Sequence, residues 1–140
     1  MVDNYMWTCP KCKRQFKKTK QPYTCKTVTV EEHFKNKEKA KEIFDYLVDR
    51  INKNIGKCKV VSIPCSVHLC SNYDFLAAFP KKDGLEIRFL LQRKLDSPRL
   101  KIWVKVSSTV FKNVFYINSD KEIDIEFIGW IRESYHLKSD

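Results

Sequence analysis

The sequence predicts an α+β fold. We expect a mostly antiparallel sheet of about five strands, packed against N- and C-terminal helices, with a small N-terminal Cys-rich appendage. Three observations carry this. Helical periodicity is confined to the two ends of the main domain, and a period of two fills its middle. Three of the six cysteines lie in a basic leader that shows neither period. The boundary between leader and domain falls at residues 28 and 29, giving 1–28 as the Cys-rich leader and 29–140 as the α+β domain.

The elements follow in order. Thr29, followed three residues later by Glu32, forms a capping box at the start of the first helix. Ala40, Ile43, Phe44, Leu47, Val48, Ile51 and Ile55 then recur on one helical face, and Gly56 falls where a C-terminal cap is expected. Strands are expected at 59–63, 66–70, 73–79, 85–92, 101–106 and 112–117. In "LEIRFLLQ" the side chains of Leu85, Ile87, Phe89 and Leu91 share one face, and in "KIWVKV" those of Ile102, Val104 and Val106 do the same. "PKKDG" marks a hairpin turn. A second capping box, Ser119 with Glu122, starts a closing helix that buries Ile123, Phe127, Trp130 and Ile131.

Composition bounds the function classes. In 140 residues, 43% hydrophobic content supports a packed core and argues against disorder. No apolar run approaches the roughly 20 residues that span a bilayer, and "MVDNYMWTC" lacks the apolar stretch of a secretory signal. A cytoplasmic location is therefore expected, with cysteines as thiols or metal ligands in preference to disulfides. The net charge is +10, unevenly spread. Residues 1–30 carry seven basic groups against Asp3 alone, a net +6, while the remaining 110 residues carry 20 basic and 16 acidic groups, a net +4.

The leader reads as chemistry of two kinds. "CPKC" presents Cys9 and Cys12 as half of a tetrahedral zinc site, Cys25 is a third ligand, and His33 is the nearest histidine to supply the fourth. The cations Lys11, Lys13, Arg14, Lys17, Lys18 and Lys20, interleaved with Phe16 and Tyr23, suit a nucleic-acid backbone or an acidic protein partner. Charge at this density also describes a solvated basic face.

The order Trp-x-Cys-Pro-x-Cys, a basic residue and Phe, then Gln and a Cys before an acidic helix start, resembles proteins carrying domain of unknown function (DUF) 5655. "FLAAFPKKDGLEIRFLLQRKLDSPRL" and the closing "EIDIEFIGWIRESYHL" resemble the same family, so the likeness spans nearly the whole chain. In the family the leader runs C-P-x-C-G and later N-Q-x-H-x-C. Cys9, Cys12 and Cys25 keep the cysteines, whereas Lys13, Lys20 and Tyr23 stand at the Gly, Asn and His positions. Zinc then depends on His33, or the site is eroded, because a Tyr phenol near pKa 10 is a poor ligand. The resemblance implies an architecture and no activity.

The remaining cysteines and histidines point to packing. In "CSVHLC", His68 and Cys70 share a strand face and Cys65 opposes them. Cys58 reads as a core thiol and His136 as a helix-end residue. Without an orienting carboxylate or phosphate loop in view, no catalytic residue is assigned. The expected function is a non-catalytic binding or adaptor module that holds nucleic acid or a partner protein. The alternative is a small-molecule-binding or hydrolytic domain with its pocket between sheet and helices.

Overall fold

The structure is a computed structural model that describes residues 28–137. It also describes the backbone of two short strands, β1 (Trp7–Thr8) and β2 (Gln15–Phe16), which pair antiparallel with Trp7 opposite Phe16. The α+β class holds.

The first helical region is two helices, where one was expected. Thr29 caps α1 (Val30–His33) by accepting the Glu32 amide at 3.1 Å. The chain then breaks at Asn36, whose φ of 60° lies in the left-handed region that ends a helix. Asn tolerates that region better than most residues. α2 (Glu38–Asn54) follows and buries Ala40, Ile43, Phe44, Leu47 and Ile51, the expected stripe. Gly56 does not act as a left-handed cap, because no glycine here has positive φ. It is needed for space: a Cβ at Gly56 would lie 2.7 Å from the Tyr135 hydroxyl.

The sheet has six strands, one for each expected segment: β3 (Lys59–Ile63), β4 (Ser66–Cys70), β5 (Asp74–Lys81), β6 (Gly84–Leu91), β7 (Ile102–Lys105) and β8 (Phe111–Ile117). Their order is β3-β4-β5-β6-β8-β7, antiparallel throughout. The β5–β6 hairpin closes over Lys82 and Asp83, so the strands consume most of the expected "PKKDG" turn.

The second capping box is present but caps a 3-10 turn at Asp120–Glu122. α3 (Ile125–Tyr135) starts later, with Asp124 as its cap, accepting the Phe127 amide at 3.0 Å. Both long helices lie over β5 and β6 on one face of the sheet. That face carries Leu85, Ile87, Phe89 and Leu91, all buried, and Phe127 stands edge-on to Phe115 at 5.2 Å. Each such buried side chain contributes about 1.5–3 kcal/mol.

β7 departs from expectation. Ile102, Val104 and Val106 were expected to share a buried face, yet they and Trp103 are between 42% and 56% exposed. The reason is position: β7 is an edge strand beyond β8, out of reach of helices that cover β5 and β6.

Candidate functional site

The opposite face of the sheet is not covered by α2 or α3. Strand alternation sends Glu86, Arg88 and Leu90 to it from β6, and register places Ala77 of β5 and Val114 of β8 beside Arg88. The sheet is interrupted here. β5 pairs with β6 only from Ala77–Arg88 to Lys81–Gly84. Asp74 and Leu76 keep their β4 partners, and Phe89 to Leu91 keep their β8 partners, but the two segments do not pair with each other.

The end of α3 is tied to the parted strands. Ser134 Oγ donates to the Phe75 carbonyl at 2.9 Å, and the Tyr73 hydroxyl lies 2.7 Å from the carbonyls of both Ser134 and Tyr135. The first bond takes up a carbonyl of β5, and the other two take up carbonyls at the C-terminal end of α3. What remains is a cleft of about 320 Å³. Its walls include Phe75, Leu76, Phe89, Leu90 and Leu137, with Arg88 and Lys112 among its polar residues.

Both signs of charge line the cleft, with Asp74 in its wall beside Arg88 and Lys112. The Arg88 guanidinium sits 4.1 Å from the centre of the Phe79 ring and bonds the buried Glu86 carboxylate, with Nε at 2.8 Å. Lys101 Nζ holds the other Glu86 oxygen at 3.0 Å. Burial pushes the Glu86 carboxyl up, but Arg88 and Lys101 together outweigh it, and the net direction is down. Two cations thus share one carboxylate, and Lys112 has no ion pair among the described residues.

Next to the cleft lies a hydrogen-bonded chain that the sequence did not disclose. Ser66 Oγ is 2.7 Å from His68 Nε2, and His68 Nδ1 bonds Asp74 Oδ2 directly. An ionised carboxylate only accepts, so Nδ1 carries a proton, and in the neutral ring Nε2 accepts from the Ser66 hydroxyl. Asp74 is therefore the orienting carboxylate that was thought missing beside His68. This is the connectivity of nucleophile, base and orienter in acyl transfer. Ser66 is 1% exposed, so its oxygen is shielded from solvent and we assign the hydrogen-bonded chain no catalytic role.

A profile of the domain of unknown function DUF5655 matches residues 30–138. The chain belongs to the DUF5655 family. The match begins at residue 30, so the Cys-rich leader lies outside it. No curated protein and no solved structure matches the chain. The family is one of unknown function, so membership supports the architecture above and assigns no activity.

In this DUF5655 chain, Cys9, Cys12 and Cys25 lie outside the described residues, as do Lys11, Lys13, Arg14, Lys17, Lys18, Lys20 and Tyr23. Phe16 is described only as a backbone partner of Trp7. His33 is placed: Nε2 lies 2.7 Å from the Ile63 carbonyl and donates to it, which leaves Nδ1 as the ring's lone-pair nitrogen. Among the described residues no group of three or more His, Cys, Asp or Glu is arranged to hold a metal ion. Cys65, expected in the core, is exposed in the β3–β4 turn. Burial first, then the Asp74 carboxylate, push the Cys70 thiol up to about 12. No helix among the described residues is long and apolar enough to cross a membrane.

Proposed function

We propose that this chain is a non-catalytic binding module that takes a small ligand in the cleft between β5 and β6. The parting of these strands carries the reading, because it opens a gap with apolar walls beside Arg88 and Lys112 at the end of α3. The matching ligand has an apolar body for the walls and an anionic group for the cations. Titration with phenylacetate and octanoate, followed by amide NMR, tests this. Saturable shifts should centre on Ala77, Leu90 and Lys112, and Lys112→Gln should weaken binding roughly fivefold. Shifts that do not saturate, or that map to the outer faces of α2 and α3, would remove the cleft as the site.

The leader supports a second reading, as a zinc-stabilised grip on nucleic acid or an acidic partner. Cys9 and Cys12 fall in sequence between the paired segments Trp7–Thr8 and Gln15–Phe16, and their C-x-x-C spacing supports half of a zinc site. His33 Nδ1 is available as fourth ligand with Cys9, Cys12 and Cys25. The test is metal analysis of protein purified without chelator, with an oligonucleotide titration at low and moderate salt. About one zinc per chain and a salt slope on the order of −3 to −4 are expected. Absence of metal rejects the zinc site, and absence of binding at low salt rejects the grip.

A further inference from the structure

The outer edge of β7 combines three features that no part of the cleft reading uses. Its apolar side chains are exposed on both faces: Ile102, Val104 and Val106 on one, Trp103 on the other. Its outer backbone is unpaired among the described residues, because β7 ends the strand order. Its surroundings are cationic, with no Asp or Glu anywhere between Asp96 and Asp120, while Lys105 makes no ion pair among the described residues.

Register identifies the free backbone groups. The Val106 amide donates to Val110 at 2.9 Å, so hydrogen-bonded positions of this ladder alternate back through Val104 and Ile102. The amides and carbonyls of Trp103 and Lys105 therefore point outward. A bare edge bearing β-branched residues invites another strand. A second copy of this chain would bring a lysine-rich edge against its own kind. A nucleic acid would need an open ring to stack on, yet Trp103 is held by Lys94, whose Nζ is 4.5 Å from its centre, and by the edge-on Phe111 at 5.9 Å. Ile102, Val104 and Val106 offer no stacking surface at all.

We infer that the β7 edge binds an extended acidic peptide of a partner protein by strand addition. Trp103 and Lys105 supply the outward backbone bonds. Ile102, Val104 and Val106 pack against alternate apolar residues of the peptide, and Lys105, on the opposite face with Trp103, meets its carboxylates. A cleft of about 570 Å³ beside Trp103, lined by Leu95, Leu100 and Ile102 together with Lys94, Asp96 and Lys101, lies at one end of this edge.

The test is fluorescence anisotropy with a labelled peptide in which Glu alternates with Val. A control of the same composition gathers the Glu and Val residues into two blocks. The alternating peptide should bind the full chain at least about tenfold more tightly than the control, because only alternation matches the pleat. Lys105→Pro removes one outward donor without touching the β8 ladder, a substitution edge strands tolerate, and should weaken binding about tenfold. Lys105→Gln keeps the donor and should weaken it less. If Lys105→Pro alters the circular dichroism spectrum, Val106→Glu, which sets a carboxylate against the acidic peptide, takes its place and should weaken binding too. Equal binding of the two peptides, or binding unmoved by the folded edge variant, would overturn the proposal. Concentration-dependent self-association through the edge, or oligonucleotide binding lost in the same variants, would overturn it as well.

Discussion

Asn113 holds the amide of Leu95: the carboxamide oxygen of this buried β8 residue accepts the Leu95 N–H at 2.8 Å. Its Nδ2 donates to the Arg93 carbonyl at 3.1 Å, so one side chain fixes the connection that leaves β6 for β7. Asn113→Leu strands a buried donor and should cost about 1–3 kcal/mol. Urea denaturation should show a lower midpoint with an unchanged slope.

Gly56 and Tyr135 define a second contact with a sign. A Cβ at position 56 would meet the tyrosine hydroxyl at 2.7 Å, and that hydroxyl donates to the Lys57 carbonyl at 2.9 Å. Gly56→Ala should destabilise by about 1–3 kcal/mol through overpacking. Adding Tyr135→Phe should recover part of that loss, so the double variant falls short of the sum of the singles.

Glu86 makes stability depend on pH in one direction. Its carboxyl titrates below the usual glutamate value of 4.5 in the folded chain, so the folded state binds fewer protons than the unfolded state near that pH. The stabilisation is complete above the unfolded value and disappears as pH falls through the folded one. Glu86→Gln should lower the melting temperature at neutral pH and flatten its decline below about pH 4.5.

Thiol reactivity should separate the three described cysteines. Cys65 is exposed, whereas burial pushes the Cys58 thiol up and carries that of Cys70 to about 12. Iodoacetamide at pH near 8 should alkylate Cys65 readily and Cys70 at least about a hundredfold more slowly, because so little thiolate is present. Peptide mass mapping over time reads both rates, and a fast Cys70 would revive it as a nucleophile.

Where burial and periodicity coincide, the sequence was a sufficient guide. The stripe from Ala40 to Ile51 and the alternation from Leu85 to Leu91 lie where the pattern put them. The break at Asn36 has a local trace, an Asn in a stretch without apolar positions between Phe34 and Ala40. β7 alternates like a buried strand, and nothing local tells an edge strand from a central one; its neighbours decide. The site was hidden for the same reason. The β5–β6 cleft exists because two strands keep their outer partners and lose each other. The Asp74–His68 contact needs β4 and β5 aligned across an irregularity between Leu69 and Cys70.

The tether between α3 and the parted strands also sets an order on biosynthesis. Ser134 completes the Phe75 carbonyl from 59 positions downstream, and Tyr73 reaches carbonyls 61 and 62 positions away. A nascent chain can close the β5–β6 hairpin early, from neighbours in sequence. The first half of β5 has to wait on that side until α3 has left the ribosome tunnel, its carbonyls served meanwhile by water. Ribosome-arrested chains that still hold α3 in the tunnel should therefore be cut by protease near Tyr73 and Phe75, and chains lengthened by a C-terminal linker that carries Tyr135 clear of the tunnel should resist.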